Sequence, residues 1–250
     1  MNNPENDVAV VTGGGRGLGA QIATSLGQAG FRVAVTDISP DSLASFAAET
    51  NLAADCFATH QLDVSEKGDF QRVLDSVSQE WGSVQVLVNC AAVTRVTPLF
   101  EISPEEFSQV MDINLRSVFV GCQVFGSYFR EQGFGRIVNI ASLAGQNGGT
   151  ATGAHYAASK GAIITLTKVF ARELAAHGVT VNAIAPGPLD VPLLSEILPT
   201  DKLAGMPSMI PVGQLGNPAF IGDIVALLAS RRAASITGAT IDANGGLYVR

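Results

Sequence analysis

From Val8 to Asp242 the chain alternates short apolar runs with longer segments of helical period. The runs are Val8–Thr12, Arg32–Asp37, Cys56–Leu62, Val84–Asn89, Arg136–Ile140, Thr180–Ala185 and Thr240–Asp242. They are apolar at nearly every position rather than every second one, which predicts strands covered on both faces, as in a parallel sheet. Parallel strands need crossover connections, and the intervening segments carry helix starts. Ser39-Pro40 and Asn217-Pro218 pair an N-cap residue with Pro at the first helical position. Ser103-Pro104-Glu105-Glu106 adds a carboxylate at the third position and reads as a capping box. The expected fold is α/β, a doubly wound parallel sheet of about seven strands. Helices cover both faces, and ligand binds at the carboxyl ends of the strands.

Nothing in the 250 residues divides them, so one domain spanning 1–250 is expected. Apolar residues make up 47% and charged residues 15%, the reverse of a disordered composition. The net charge of −7, with no cluster of Lys or Arg, tells against nucleic acid or an anionic membrane as partner. Cys56, Cys90 and Cys122 have no metal-ligand spacing and are read as reduced thiols, with no metal expected. The start carries no leader pattern, and the longest apolar stretch, Ser117 to Phe129, is too short to span a bilayer. A soluble, cytoplasmic protein is expected. Seven of the 11 prolines fall between Pro186 and Pro218, where no strand is apparent, and a segment of that length is expected to be functional.

The first strand runs into Thr12-Gly13-Gly14-Gly15-Arg16-Gly17-Leu18-Gly19 and a helix follows. Glycines there let the backbone turn and approach a pyrophosphate, whose charge the helix N-terminus stabilises. Asp37 closes the second strand, where a carboxylate accepts hydrogen bonds from the adenosine ribose and repels a 2′-phosphate, favouring NAD over NADP. Arg16, in the loop, is either an attractor of that phosphate or a solvated charge. Asp63-Val64, after the third strand, either meets the adenine or starts a helix near Ser65. Tyr156 and Lys160, at i and i+4, share one helix face, a phenol beside an ammonium that lowers its pKa for proton transfer to a carbonyl oxygen. Ser142 ends the fifth strand, where its hydroxyl can hold the substrate oxygen. Asn114 lies inside a helix, either a surface polar residue or a buried amide holding a water.

These motifs, with Asn89-Cys90-Ala91-Ala92 and Pro186-Gly187, resemble in order and across the whole chain the short-chain dehydrogenase/reductase family. The resemblance implies a Rossmann fold and a nicotinamide-dependent oxidoreductase acting on CH–OH groups. It implies a tetrad in which Tyr156 is the general acid/base and Ser142 orients the substrate oxygen. Lys160 lowers the phenol's pKa and binds the nicotinamide ribose, and Asn114 anchors a water. It further implies that Gly13, Gly15, Arg16, Gly17, Leu18, Gly19, Asp37, Asp63, Val64, Asn89, Ala91, Pro186, Gly187 and Leu189 surround the cofactor with Tyr156 and Lys160. Three positions depart from the family pattern: Ala92 replaces a glycine, Val191 stands where a Thr is common, and Asn244 replaces an Asp.

The segment of about 187–216 is expected to be a substrate lid. Leu193, Leu194, Ile197, Leu198, Leu203, Met206, Met209 and Ile210 make it apolar, suited to an uncharged ketone or alcohol. The leading expectation is an NAD(H)-dependent dehydrogenase of secondary alcohols. The alternative is an NADPH-dependent 3-oxoacyl-[acyl-carrier-protein] reductase, which the C-terminal half also resembles. The positions where basic carrier-docking residues would be sought hold Gly133-Phe134 and His177. A cofactor-binding sensor without catalysis is disfavoured by the intact tetrad. His155 and Arg95 are read as structural more readily than as substrate contacts. The helix expected from about Ser103 to Phe129 carries two stripes, of which one can cover the sheet and the other needs a partner; the first is Leu115, Val118, Phe119, Cys122 and Phe129. Its second stripe is Val120, Val124 and Tyr128; the family implies a homotetramer, with Ile163, Leu166 and Phe170 as further interface candidates.

Overall fold

A computed structural model describes residues 7–149, 152–191 and 200–250, without the side chains of 200–204. Seven parallel strands form one sheet in the order β3-β2-β1-β4-β5-β6-β7. They are β1 (Val8–Thr12), β2 (Arg32–Asp37), β3 (Phe57–Gln61), β4 (Val86–Asn89), β5 (Gly135–Ile140), β6 (Val179–Pro186) and β7 (Thr240–Ala243), each within two residues of its expected bounds. The order reverses direction between β1 and β4, which opens a crevice beyond their carboxyl ends.

Alternation along β1 explains its all-apolar sequence. Val8 and Val10 join one core with Phe70, Val73 and Val77 of α3 (Lys67–Trp81), Val118, Phe125 and Phe129 of α5 (Ser117–Gln132), and Ile163 of α7 (Ala154–Leu174). Ala9 and Val11 join the other, with Ile22 and Leu26 of α1 (Gly17–Gln28), Leu43 and Phe46 of α2 (Pro40–Glu49), and Ile221 and Val225 of α9 (Pro218–Ala229). Both faces are buried, so the strand is apolar up to Thr12, whose hydroxyl accepts from Cys90 N and Ala91 N. The three expected N-caps are formed: Ser39 Oγ accepts from Ser42 N, Ser103 Oγ from Glu106 N, and Asn217 Oδ1 from Ala219 N.

Four expectations are corrected here. The single helix of about Ser103–Phe129 is α4 (Pro104–Met111), a π-helical turn (Asp112–Arg116) and then α5. The capping box is half made, because the Glu106 carboxylate turns to Thr97 and His155 instead of the Ser103 end of the helix. Phe119 does not cover the sheet: on α5 it points about 100° away from Val118, whereas Phe125 lines up with Val118, Cys122 and Phe129 and takes the core position, leaving Phe119 43% exposed beside Phe170. Ile163 is no surface residue either, but lies fully in the core.

The proline-rich segment is tied at its base. Asp190 N donates to Gly216 O and Gly216 N to Pro188 O, and α8 (Thr200–Met209) sits within it. Met206 and Ile210 are buried and Met209 is exposed. Leu193, Leu194, Ile197 and Leu198 lie outside the described residues, as does the Leu203 side chain.

Candidate active site

A cavity of about 1080 Å³ opens at the carboxyl end of the sheet, walled by the segments that follow β1 to β6. Gly13, Arg16, Gly17, Leu18 and Gly19 form one wall, Asp37, Asp63 and Val64 the next, and Ala91, Ser142, Tyr156, Lys160, Pro186, Gly187 and Leu189 the rest. Two of the expected cofactor residues stand outside it. Gly15 instead fixes the loop, its N–H donating to Asp37 Oδ2 at 3.2 Å. Asn89 falls on the same side of β4 as Leu87, facing α5. Its Nδ2 donates to Asn139 Oδ1 at 2.8 Å, and Asn139 Nδ2 donates to Thr167 Oγ1 at 3.0 Å. The Asn89 side chain therefore belongs to a buried polar chain in the core, not to the cofactor wall.

The loop after β1 fits a nucleotide on its own terms. No side chain caps α1 and its first turn holds no acidic residue, so its N–H groups favour an anion. Gly13 has φ +63°, and a Cβ there would come within 2.7 Å of Ala91 Cα; the loop is pressed against β4. A Cβ on Gly19 would fall on the Gly13 carbonyl, well inside contact distance. Gly19→Ala is expected to cost about 2 kcal/mol in unfolding free energy through this overpacking, read by urea titration. Asp37 is held by two backbone donors, Gly15 N and Ser39 N, with its charge on the cavity wall. Asp63 lines the cavity, and its Oδ1 accepts from Ser65 N and Oγ in the turn that precedes α3, whose N-cap is Glu66.

Asn114 is fully buried in the π turn, where the widened helix lets its amide reach sideways. Oδ1 accepts from Val93 N at 2.8 Å, while Nδ2 donates to Val93 O at 2.9 Å and Ser159 Oγ at 3.3 Å. Both N–H groups are thus used within the protein and one oxygen lone pair remains. Ser159 Oγ donates to Tyr156 O at 2.7 Å, so Asn114 acts on the backbone of the phenol-bearing residue. Lys160 Nζ donates to Ile140 O at 2.7 Å and lies 5.7 Å from the Tyr156 ring centroid.

The electrostatics differ from the expected division of labour. Burial pushes the Tyr156 phenol up, and it is the Ser142 and Thr94 hydroxyls that pull it down. The ammonium lies along the ring rather than on the hydroxyl, and burial lowers Lys160 itself to about 8. Its charge is complete well below that pH and lost above it. A cation beside the phenol favours the phenolate left when the proton goes to a carbonyl oxygen. Reduction is therefore expected to hold its kcat/KM up to about pH 8 and fall above it, and Lys160→Met to remove that step; rate profiles from about pH 6 to about pH 10 check this.

Of the departures, Val191 and Ala92 line the cavity, and Val191 offers no hydroxyl to a carboxamide. Asn244 organises the C-terminal turn, accepting from Gly246 N and donating to Tyr248 O. Thr94, Ile113 and Leu143 also line the cavity and were not anticipated; their position just after a strand or in the π turn was the only available signal. Arg95 lines the cavity mouth, whereas His155 is fully buried and structural, its Nε2 2.9 Å from Glu106 Oε1.

Among known proteins, the model of the family described as enoyl-(acyl carrier protein) reductase matches residues 13–248. An acetoacetyl-CoA reductase from Shinella zoogloeoides is 39% identical over 96% of this chain and 98% of its own length. A 3-oxoacyl-[acyl-carrier-protein] reductase, FabG, from Vibrio cholerae is 36% identical over 99% of both chains. The crystal structure of a short chain dehydrogenase from Bacillus anthracis superimposes with a TM-score of 0.90 at 29% identity, covering 100% of this chain and 99% of the other.

Proposed function

The chain belongs to the short-chain dehydrogenase/reductase family, and from that premise we propose that it interconverts a 3-oxoacyl and a 3-hydroxyacyl thioester with NAD(H). Membership makes it an oxidoreductase of ketone and hydroxyl groups with a nicotinamide cofactor. The observation that carries the thioester is full-length similarity, at 36–39% identity, to relatives named for reducing acetoacetyl-CoA and 3-oxoacyl-carrier substrates. That evidence favours the thioester over the general secondary alcohol that the sequence first led us to expect.

Bound in the cavity, the nicotinamide would supply or accept the hydride. Tyr156 gives its proton to the carbonyl oxygen, Ser142 holds that oxygen as negative charge develops, and Lys160 offsets the phenolate. Gly13 and Arg16–Gly19 would hold the pyrophosphate and Asp37 the adenosine ribose, with Pro186, Gly187 and Leu189 against the nicotinamide. Residues 187–216 serve as the lid, and Met206 reaches the cavity from it.

A coenzyme A thioester is preferred over a carrier protein for a structural reason. The expected docking positions hold Gly133, Phe134 and His177, and Arg136 beside them is buried, which leaves Arg130 and Arg231 as exposed basic residues nearby. The Arg136 guanidinium donates to Gly178 O and Ser230 O and stacks 4.3 Å from the Phe134 centroid. A homotetramer remains the proposed assembly, now through Phe119, Val169 and Phe170 on α5 and α7, since Phe119 and Val169 are apolar and exposed. Initial rates with acetoacetyl-CoA, acetoacetyl-carrier protein, crotonyl-CoA and 2-butanone test the reading. Acetoacetyl-CoA with NADH is expected to be fastest. Faster turnover of 2-butanone would restore the simple secondary alcohol, and turnover of crotonyl-CoA alone would move the chemistry to a carbon–carbon double bond.

A further inference from the structure

Glu106 is placed by sequence to close a capping box, yet its carboxylate has gone elsewhere, and what it holds leads to the reacting phenol. Thr97 Oγ1 donates to Glu106 Oε1 at 2.6 Å, and the same oxygen lies 2.9 Å from His155 Nε2. The other ring nitrogen, His155 Nδ1, accepts the backbone N–H of Tyr156 at 3.0 Å. Because Nδ1 accepts, the ring proton resides on Nε2, and the imidazole donates it to the carboxylate. The Thr97 hydroxyl and then the His155 ring hold the Glu106 carboxyl below its usual range.

The N-terminus of α7 needs such a partner. Its N-cap is Gly153, which has no side chain to accept from the first turn. Gly153 has φ −66°, so no left-handed conformation demands glycine there. What demands it is the His155 ring: a Cβ on residue 153 would lie 2.7 Å from Nδ1 and closer still to Cε1. Glycine at 153, histidine at 155 and glutamate at 106 are therefore one arrangement.

We propose that the Glu106–His155 pair is a positioning device that fixes the first turn of α7, and with it the angle at which the Tyr156 phenol enters the cavity. Tyr156 is gripped at both main-chain groups. Its N–H is held by His155, which is anchored to Glu106 of α4, and its carbonyl accepts from Ser159, itself bonded to Asn114 of the π turn. Val93 N and O bind the same Asn114, and Arg95 O accepts from Gly153 N at 2.7 Å, so the loop after β4 is fastened to this turn as well. Neither Glu106 nor His155 lines the cavity, so their effect on rate passes through Tyr156. The inference rests on Tyr156 being the proton donor, but not on which ketone it serves.

Amide hydrogen exchange tests the tie without any substrate. The Ala157 N–H already has a helical acceptor in Gly153 O, whereas the Tyr156 N–H has His155 Nδ1. His155→Ala is expected to speed exchange at Tyr156 by about tenfold or more while amides from Ala157 onward stay within about twofold. His155→Asn, whose Oδ1 falls where Nδ1 was, is expected to restore protection. With ethyl acetoacetate or acetoacetyl-CoA as ketone, His155→Ala is expected to lower kcat about tenfold to a hundredfold and to leave the KM for NADH within about twofold. His155→Asn keeps the acceptor for the Tyr156 N–H but not the tie to Glu106 and should recover part of that loss, and Glu106→Gln, which keeps its acceptor oxygen, should stay near wild type where Glu106→Ala does not. Unchanged exchange and kcat in His155→Ala would overturn the proposal. So would faster exchange along all of α7 with no rescue by Asn, which marks a merely structural residue. Failure of acetoacetyl-CoA with retained turnover of ethyl acetoacetate would sink the thioester reading alone, and the exchange result decides the positioning role whichever ketone is turned over.

Discussion

Tyr156→Phe is expected to lower kcat for ketone reduction by about a thousandfold, with Tm unchanged within about 2 °C. The phenol hydroxyl faces the Ser142 and Thr94 hydroxyls, on the cavity wall. Removing the oxygen deletes the proton donor and leaves the ring packed, so the loss falls on the chemical step and spares the fold. Steady-state kinetics with NADH at neutral pH, beside a thermal melt, check both halves. A variant within threefold of wild type would mean that another group, or water, delivers the proton. Ser142→Ala is the companion: it removes the hydroxyl that draws the phenol toward ionisation and that faces the substrate oxygen. Its loss is expected to be about a hundredfold, the value of one donor at a developing oxyanion.

The parts of the site that sequence revealed are those whose chemistry is local. The run from Thr12 to Gly19 states its own geometry, because glycines between a strand and a helix permit one kind of close approach. Asp37 announces itself as a charge ending an apolar strand, and Tyr156 and Lys160 as two rare groups one helical turn apart. The central strands are equally legible, since both their faces are covered and mostly apolar, whereas β3 at the sheet edge is half exposed. What stayed hidden depends on a register that sequence does not print. Asn89 reads like a cofactor residue until pleating turns it to the α5 side. Where α4 ends and α5 begins cannot be read without the π turn between Asp112 and Arg116, which has no signature in the sequence. Glu106 has the spacing of a capping box, and only the arrival of α7 beside α4 shows that its carboxylate serves His155. Hidden likewise is that burial, which brings Lys160 and Tyr156 together, also desolvates both.

NADH is expected to outperform NADPH by about a hundredfold in kcat/KM, and Asp37→Asn to shrink that ratio to about tenfold or less. The carboxylate is not free to swing away from a 2′-phosphate. Gly15 N binds Oδ2 and Ser39 N binds Oδ1, so its charge is fixed at the end of β2. A like charge a few ångströms off costs roughly 1 kcal/mol in water and about 4 kcal/mol at an effective dielectric near 20. The half-buried rim of a cavity lies between, and about 2.7 kcal/mol is a hundredfold. Arg16 pulls the other way, since it too lines the cavity, but it is exposed and its attraction is screened by solvent and salt. Asn keeps the shape of Asp but only one acceptor oxygen, so Asp37→Asn removes the charge together with one of the two bonds to Gly15 N and Ser39 N. Arg16→Ala in the Asp37→Asn background then reports whether the guanidinium binds the phosphate: NADPH turnover should fall again while NADH turnover holds. A wild-type preference for NADPH would reverse the order of these two charges, making Arg16 the residue that selects the cofactor and Asp37 only the strap that holds the glycine loop.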